Sequence, residues 1–556
     1  GALASAAAAQ NQYDALRFLG NDVNGTARFV GMGGAMSALG ADLSTISTNP
    51  AGIGLYRSND VALSFGFNAN KSHSDFSGSV MDEKRNRASF DQIGFVWSTK
   101  IGNKTDLRFL NFAFNYHKLV NFNRQFASKG GLNGNSLTWQ MADMINGAGY
   151  QNKTNFDALL DAGNPYTESA FYDTPYLGVM GARTGLVDVD WNDQGNITRI
   201  YGWNGIDGEY YSRETGSINE YDFNIAFNVR DRFYFGATLG VYDVDYLRYS
   251  SYGENMQRSN GDYQGNFTLN NTYKTEGTGL DLKVGAIIRP FEYSPFRFGL
   301  AIHTPVWYNM SDRYTSVLTS NLALGNSTSS YTENLMDYLS GGQYAWDYRL
   351  ITPWRFNVSA GTVVGGIMAL DAEYEFESYS STKLQDYEGR ELNGQAAIKE
   401  TLKGVHSFRV GMETKVSSAF SVRAGYHFRS TPITSDAFKN IPATDNTRTD
   451  AEYMNLKSRQ AVSVGLGYRG RLIYADVAYK YDFYKGDFYA FDGGIYRDGL
   501  RLPACCGADY HADGVGQYPH YDAEKDFICI YLSAVYAHIY SHCHRSHFPR
   551  GHRRIS

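Results

Sequence analysis

Cysteine is absent from the first 504 residues of this 556-residue chain, and proline is scarce, with 12 residues in all. No run of 18 apolar residues occurs, which excludes a conventional membrane-spanning helix. Basic charge is not in excess either, because 51 Lys and Arg stand against 57 Asp and Glu and give a net charge of −6. The charge balance therefore offers no electrostatic basis for binding nucleic acid.

Glycine and tyrosine are abundant instead, with 58 and 43 residues. The length alone would suggest about three or four soluble domains, but no Pro- or Ser-rich linker divides the chain. We therefore predict one large continuous unit. The small-residue start, residues 1–9, predicts the remnant of a secretory signal peptide, with a retained Ala-rich leader as the alternative. A Cys-free body fits an exported protein.

The body of the chain alternates large apolar residues with small or polar ones, which is typical of β-strands with one apolar face. The alternation runs from Tyr221 to Val229 and resumes from Phe233 to Val241 after a short polar turn, which predicts a hairpin. Thirteen such segments precede the last 52 residues, at positions 61–67, 93–97, 110–116, 221–229, 233–241, 282–288, 296–302, 354–360, 368–376, 408–412, 422–428, 462–468 and 473–479.

The connections between these segments favour a membrane barrel. Short turns on one side alternate with long insertions on the other, the longest over residues 119–215. Lipid cannot satisfy an open sheet edge, so strands that face lipid must close into a ring. We therefore predict an all-β fold, a transmembrane antiparallel β-barrel of about 14 strands over residues 57–500, with short helices in the extracellular loops. A soluble β-sandwich or a lectin-like multidomain protein is the alternative.

The faces opposite the apolar ones carry charges of both signs. In a barrel these side chains point into the lumen, where opposite charges on neighbouring strands are expected to pair. Such pairs would brace the barrel, and a charged path for a solute is the alternative. The residues of this predicted lumenal network are Arg355, Asp371, Glu373, Glu375, Arg409, Arg423 and Arg429.

A segment rich in small residues, 25–55, lies before the first strand. Its Gly-x-Gly-Gly run is followed by no βαβ unit and no phosphate-binding lysine, so a nucleotide loop is a poor interpretation. Small residues instead permit close backbone approaches and compact packing inside a barrel.

Residues 20–485 resemble the outer-membrane long-chain fatty-acid transporters, the FadL-type family, which also take up aromatic hydrocarbons. The resemblance rests on the small-residue stretch, on Asp42 and on Asn49-Pro50-Ala51-Gly52 directly before the first strand. Individually weaker matches follow at 303–308, 352–354, 371–374 and 423–426.

The resemblance implies that residues 10–56 form a hatch that plugs the lumen of a fourteen-stranded barrel. It also implies that a hydrophobic ligand meets an apolar groove of the extracellular loops, then a deeper pocket lined partly by the hatch. Movement of the N-terminus would release the ligand sideways beside a kinked strand. The hatch candidates on these grounds are Gly33, Gly34, Asp42, Asn49, Pro50, Ala51 and Gly52.

Apolar residues at helical spacing in the long insertion suggest where such a groove would lie. Ser136 is a candidate N-cap for one helix, and a second helix is predicted from Asn155. Methionine and aromatic groups adapt to flexible apolar ligands, whereas the alternative is that these helices pack on each other and cap the barrel. The groove candidates are Leu137, Met141, Met144, Ile145, Phe156, Leu159, Leu160 and Phe171.

No Ser-His-Asp order and no paired-carboxylate site stands out, so we predict no enzymatic activity, no cofactor and no metal site. The expectation is a monomeric, passive transporter of hydrophobic small molecules, such as fatty acids or aromatic hydrocarbons, in the outer membrane of a Gram-negative bacterium. Its further partners would be outer-membrane lipid, lipopolysaccharide and the barrel-insertion machinery. An aqueous porin and a structural or adhesive barrel are alternatives, with a haemin receptor as a lesser one.

The tail, residues 501–556, differs from the body. It holds all four cysteines and seven of the twelve histidines, and residues 527–536, where the closing strand is expected, are apolar on both faces. A reading-frame change over a native closing strand would explain this composition. A metal-binding or surface tail is the alternative.

Overall fold

Antiparallel pairing of neighbouring strands builds one large sheet that closes on itself. The computed structural model describes residues 10–492 apart from 326, 440–446 and 472, together with the backbone of four short strands further along. Residues 1–9, the predicted signal-peptide remnant, lie outside the described residues, as does most of the tail.

The strands in the described residues are numbered in chain order: β1 (Asp60–Phe76), β2 (Ser79–Lys100), β3 (Leu107–Asn121), β4 (Arg124–Gly131), β5 (Asp188–Trp191), β6 (Ile197–Tyr201), β7 (Asn204–Val229), β8 (Phe233–Gln257), β9 (Tyr263–Ile288), β10 (Arg297–His303), β11 (Trp307–Leu324), β12 (Ser327–Asn334), β13 (Tyr344–Ile351), β14 (Arg355–Val364), β15 (Met368–Ser378), β16 (Lys383–Gln385), β17 (Gly404–Lys415), β18 (Phe420–Arg429), β19 (Tyr453–Arg469), β20 (Tyr474–Tyr489), β21 (Ile495–Arg497), β22 (Leu500–Leu502), β23 (Tyr521–Ala523) and β24 (Tyr531–Ala534).

The helices are short. The α-helices are α1 (Gln12–Arg17), α2 (Ala27–Gly31), α3 (Leu137–Gly147), α4 (Lys153–Asp161), α5 (Tyr176–Arg183) and α6 (Gln395–Thr401). The 3-10 helices are Leu43–Ser47, Pro50–Leu55, Ser169–Phe171, Leu335–Asp337, Ser340–Gly342 and Tyr379–Ser381. Among the described residues, none of these helices has the length and apolar character needed to cross a membrane.

The strand pairings run once around a ring of fourteen positions. At two of these positions a proline interrupts the strand, Pro305 between β10 and β11 and Pro353 between β13 and β14, so that two segments share the position. The order around the ring is β1, β2, β3, β7, β8, β9, β10 with β11, β14 with β13, β15, β17, β18, β19, β20, β24 and back to β1.

The predicted barrel is confirmed. Ten of the thirteen predicted segments lie within one of its strands, and the other three, 296–302, 354–360 and 473–479, begin one residue before their strand. The fourteenth position is taken by β24, whose backbone pairs with both β20 and β1. This strand lies within the segment where the sequence places the closing strand, residues 527–536.

The two faces of the sheet differ as the alternation predicts. Outward side chains such as Trp97, Phe223 and Val464 are 61%, 53% and 50% exposed, and they form the apolar band that lipid requires. Inward side chains such as Asn111 and Asp222 are fully buried. The polar groups of the wall are therefore shielded within the barrel.

Several strands extend far beyond the segments that the sequence predicts. The alternation of large apolar residues in β8 ends near Val241, but the strand continues to Gln257, and β7 begins at Asn204, inside the predicted insertion over residues 119–215. Beyond the lipid the outer face no longer has to be apolar, so the hydrophobic signal stops while the hydrogen-bonded ladder continues.

Candidate functional site

The N-terminal segment, residues 10–56, fills the lumen and is called the hatch below. Its backbone or side chains hydrogen-bond to β2, β3, β9, β10, β15, β17, β19 and β20, which are spread around the whole ring. A segment that touches the wall on all sides must lie inside it.

The hatch fits closely against the wall because glycines lie on both sides of their contact. Gly33 has a φ of +66°, and a Cβ at this position would lie 2.8 Å from the amide nitrogen of Tyr426 in β18. Gly425 faces it from the wall, where a Cβ would lie 2.1 Å from the Gly33 nitrogen. Gly34 also has a positive φ, +80°. Only glycine permits both the backbone conformation and the approach.

The Asn49-Pro50-Ala51-Gly52 motif turns the hatch towards the first strand and ties it to the wall. The Asn49 side chain accepts a hydrogen bond from the Ala51 amide at 3.1 Å and donates to the Ser37 and Ala286 carbonyls at 3.1 and 3.3 Å. Pro50 begins a 3-10 helix, where its missing N–H leaves no donor unsatisfied. A Cβ at Gly52 would lie 2.3 Å from the Thr45 hydroxyl.

Asp42 joins two parts of the hatch. Its carboxylate accepts hydrogen bonds from the Ser44 amide at 3.0 Å and from the Thr26 hydroxyl at 2.7 Å, and it caps the 3-10 helix that follows. All seven hatch candidates therefore lie in the buried plug between strands, where they shape the plug and attach it to the wall.

The lumenal charges pair with each other and with the hatch. Arg409 of β17 donates to Glu373 and, at 2.9 Å, to Glu375, both in β15. Arg423 of β18 bridges Glu413 and Asp476, each at 2.6 Å. Opposite charges on strands that lie side by side or one strand apart thus neutralise one another along the inner wall.

The remaining network residues extend this pattern. Arg355 and Arg429 lie 3.7 and 3.3 Å from the Glu377 carboxylate. Asp371 instead accepts hydrogen bonds from the hatch amides of Ala38 and Leu39, at 3.1 and 2.9 Å. The network therefore holds the hatch as well as the strands.

The extracellular half of the lumen is rich in aromatic and aliphatic side chains, and the first helix of the hatch fills it. Helix α1 and the two residues after it insert Ala15, Phe18 and Leu19 among buried side chains of the wall. We call this region the chamber. The wall side chains that line it include Tyr242, Tyr246, Tyr273, Tyr308, Tyr348, Leu350 and Tyr379.

Charged groups on α1 fix it in the chamber. The Arg17 guanidinium lies 4.6 Å from the ring centre of Tyr246 and 5.3 Å from that of Tyr273. The Asp14 carboxylate accepts a hydrogen bond from Arg448 at 3.0 Å. The helix is therefore held by a buried ion pair and by cation–π contacts as well as by apolar burial.

The sequence predicted no chamber residues, although a signal for them was present. In a strand with Val241 facing outwards, positions 242 and 246 must face inwards. Tyrosines at inward positions above the lipid band therefore mark the chamber, and the same parity argument places Tyr308 of β11.

Helices α3, α4 and α5 form a lid over the extracellular end of the barrel. The predicted N-cap is confirmed, since the Ser136 side chain accepts a hydrogen bond from the Thr138 amide. The predicted start of the second helix is wrong, because Asn152 caps α4 and the helix begins at Lys153. The Asn152 side chain accepts a hydrogen bond from the Asn155 amide, which would otherwise have no partner in the first turn, so the helix begins directly after Asn152.

Most of the predicted groove residues lie in the core of this lid rather than on an open surface. Six of the eight are at most 4% exposed, and the remaining two pack against them. The packing between helices is close, because a Cβ at Gly181 of α5 would lie 2.7 Å from the Met141 sulfur of α3. In this closed lid the helices pack on each other, and ligand binding by these residues stays a prediction. The six buried residues are Leu137, Met141, Met144, Ile145, Phe156 and Leu159, and the other two are Leu160 and Phe171.

The wall has a seam between β2 and β3. Their ladder ends at the pair Gln92 and His117, and beyond it β2 pairs with β1 while β3 pairs with β7. A bulge at Asp91 and another at Leu119 flank the end of the ladder. The two strands therefore diverge at this height.

The hatch lies directly behind the seam. The Asn24 side chain donates to the Lys118 carbonyl at 2.8 Å and lies 3.4 Å from the Asp91 carboxylate. A small cavity of about 30 Å³ between hatch and wall adjoins the same place and is lined by His117 and Leu119 among others. One hatch residue thus bridges the two diverging strands.

One group of three possible metal ligands, His117, Glu220 and Asp222, is found among the described residues. The Lys283 ammonium donates to Glu220 and, at 2.8 Å, to Asp222. This buried ammonium supplies the positive charge that the two carboxylates require. The arrangement is that of an ion-paired cluster, and it gives no reason to add a metal.

The first helix of the lid rests on a buried carboxylate near the extracellular end of β8, outside the lipid band. Glu254 accepts hydrogen bonds from the Leu137 amide at 2.8 Å, the Ser136 hydroxyl and the Tyr252 hydroxyl. Burial raises the pKa of Glu254 to about 7, against a usual 4.5. The protonated form of Glu254 in the closed lid is therefore favoured below about pH 7.

We expect the lid to loosen as the pH rises. The pKa of Glu254 is higher in the folded lid than in the unfolded chain. Its protonation therefore stabilises the lid fully below pH 4.5, and this contribution, up to about 3 kcal/mol, is lost as the pH rises past 7. Hydrogen exchange of amides 137–147, corrected for the intrinsic rate, should show protection falling between pH 5 and 8. The variant E254Q should not show this fall, and an equal fall in both proteins would contradict the assignment.

Residues 204–486 match the model of a family described as outer membrane protein transport protein (OMPP1/FadL/TodX). None of the curated proteins matches the chain.

Solved structures of low sequence identity are similar over nearly the whole chain. A Pseudomonas aeruginosa FadL homologue is 12% identical, with 93% of this chain and 99% of that chain covered and a TM-score of 0.48. The CymD monoaromatic hydrocarbon channel is 11% identical, with 94% of this chain and 99% of that chain covered and a TM-score of 0.43. The Pseudomonas putida toluene transporter TodX is 10% identical, with 93% of this chain and 99% of that chain covered and a TM-score of 0.42.

The matched residues include most of the barrel wall, from β7 to β20, and make up about half of the chain. The family consists of transport proteins and not of enzymes. The chain belongs to the OMPP1/FadL/TodX family of outer-membrane transport proteins, and its place is the outer membrane of a Gram-negative bacterium.

Proposed function

We propose that this protein is a passive transporter that takes up hydrophobic small molecules, with long-chain fatty acids and aromatic hydrocarbons as candidate ligands. The lid would open to admit the ligand, the chamber would bind it, and displacement of the hatch would release it sideways at the seam. No nucleotide is required, because affinity and diffusion supply the driving force.

The observation that carries the proposal is the apolar chamber inside a membrane barrel. A water-filled pore needs a polar lining throughout, whereas this part of the lumen is lined by buried tyrosines and leucines. The chain fills the space with Phe18 and Leu19, which are each 3% exposed. A ligand that replaces them must offer similar apolar surface.

The route through the wall is supported by the seam. Lateral release requires a place where strands separate without breaking a continuous ladder, because each lost backbone hydrogen bond in lipid is costly. The β2–β3 ladder already ends at Gln92 and His117. Hatch contacts such as that of Asn24 would have to be broken for the ligand to pass there.

The hydrophobic character of the site predicts a dependence on chain length. Each additional buried methylene should add up to about 0.8 kcal/mol, or about fourfold in affinity, until the chamber is full. Binding of saturated fatty acids of increasing length to the purified protein measures this. Dicarboxylic acids of the same lengths serve as the control and should bind weakly. Equal affinity for short and long chains would contradict hydrophobic recognition.

A disulfide between hatch and wall tests whether the hatch must move. A Cβ at Gly361 of β14 would lie 3.2 Å from the Cβ of Ala38 in the hatch. Cysteines at these two positions would therefore have their Cβ atoms close to the separation of a disulfide. We expect the oxidised A38C/G361C variant to lose uptake and to regain it on reduction.

The control variants for this test are A38C and G361C alone, which should be insensitive to oxidation. All three are made with the tail cysteines, Cys505, Cys506, Cys529 and Cys543, replaced by serine, so that no other thiol can react. Full uptake through the cross-linked protein would show that the ligand does not need the hatch to leave the wall.

A further inference from the structure

Above the seam, the β1–β2 hairpin leaves the ladder of the barrel and docks on β4 through side chains. Asn70, Ser72 and Ser74 of β1 donate to the carbonyls of residues 123, 125 and 127, at 3.1, 2.8 and 2.6 Å. The other strand of the hairpin, β2, carries two arginines on this same inner face, Arg87 opposite Asn68 and Arg85 opposite Asn70.

Arg85 is buried without being satisfied. It is 7% exposed, its Nη1 has no hydrogen-bond partner, and its Nη2 lies 3.4 Å from the Asn123 side-chain oxygen. Buried guanidinium groups elsewhere in the protein have carboxylate partners, as Arg448 has with Asp14. An unpaired buried donor is costly unless a ligand completes it.

A third arginine approaches from the barrel wall. Arg213 of β7 pairs in register with Gln125, two residues after Asn123, and Gln125 donates to the Tyr211 hydroxyl at 2.8 Å. Burial, and then the like charges of Arg213 and Arg87, lower the pKa of Arg85. The three guanidinium groups therefore share one electrostatic environment.

We call the place where Arg85, Arg87 and Arg213 come together, between the hairpin and β7, the Arg85 cleft. It has a strong positive charge with no carboxylate to balance it. Arg87 and Arg213 are exposed at its mouth, and within the described residues no ion pair joins any of the three to an acid. Glu83 lies on the same face of β2, two positions from Arg85 and opposite Ser72. Among the described residues it forms no ion pair with Arg85. Three arginines left together in this way would repel one another unless an anion lay between them.

The geometry points to a phosphate-binding site formed by Arg85, Arg87 and Arg213, with the phosphate group of an outer-leaflet lipid as its occupant. The planar guanidinium fork matches phosphate oxygens with charge-assisted hydrogen bonds. On the same hairpin the continuous run of outward apolar residues ends at Phe67 and Phe90, which are 41% and 37% exposed, and Val80 is exposed again near the turn. The cleft therefore opens beside the polar edge of the lipid band, where lipid phosphates lie, and it does not depend on what the barrel transports.

The test compares lipid A carrying its two phosphates with dephosphorylated lipid A, each titrated onto the purified protein in detergent. Wild type should prefer the phosphorylated form, and rising salt should weaken the preference. The variant R87Q/R213Q removes the two exposed arginines and should lose about tenfold or more of the affinity for phosphorylated lipid. Resistance of the folded barrel to unfolding in SDS checks that the variant is intact.

A matched control comes from the outer face of the same hairpin. Lys71 and Lys84 are opposite each other there, and K71Q/K84Q removes the same charge without touching the cleft, so its affinity should stay within about twofold of wild type. Equal affinity of wild type for both forms of lipid A, or equal losses in both double variants, would overturn the site. Complete displacement of the lipid by millimolar inorganic phosphate would overturn its assignment to a lipid.

Discussion

Lipid on the outside of the barrel forces the polar side chains of the wall to the inside, and the rest of the structure depends on this constraint. An inward charge or amide that is neither wetted nor paired costs several kcal/mol. Here the lumen satisfies such groups in two ways, through ion pairs between neighbouring strands, such as Arg409 with Glu375, and through the backbone of the hatch, as Asp371 shows. The hatch is therefore part of the polar interior of the barrel rather than a separate domain placed in a pore.

The same constraint relaxes above the lipid, and the upper lumen is built differently. Tyrosines are the most frequent inward side chains there, beside a few charged groups with hydrogen-bond partners, such as Asp312 and Arg448, and α1 brings Phe18 and Leu19 into the space between them. Burying each such side chain stabilises the protein by about 2 kcal/mol. A chamber from which Phe18 and Leu19 were withdrawn, with nothing in their place, would therefore be unfavourable. In the proposed function, a hydrophobic ligand replaces these side chains, and binding would then need no permanently open pore.

Sequence patterns predicted the membrane-embedded part of the fold far better than the rest. The alternation in segments such as 233–241 is imposed by lipid on one side and by the lumen on the other, so it is strong. The upper half of β8 faces water outside, where Asp243 and Asp245 are tolerated, and the pattern no longer shows the strand. The chamber was missed for the same reason, since Tyr246 lies in that half.

The lid shows the second limit. Leu137, Met141 and Phe156 were correctly placed on the apolar faces of helices, but periodicity cannot tell whether such a face meets a ligand or another helix. The partner of that face, α5 with Gly181 against Met141, is fixed only by tertiary packing. The same holds for the Arg85 cleft, because Arg213 is far from Arg85 and Arg87 in the sequence and approaches them only when the hairpin docks on β4.

The most direct test of the account is a structure of the protein determined with a saturating long-chain fatty acid. The account predicts ligand density in the chamber among Tyr246, Tyr273, Tyr308 and Tyr348, with Phe18 and Leu19 displaced from their present positions. Density confined to the lid or to the outer surface, with α1 unmoved in the chamber, would contradict it.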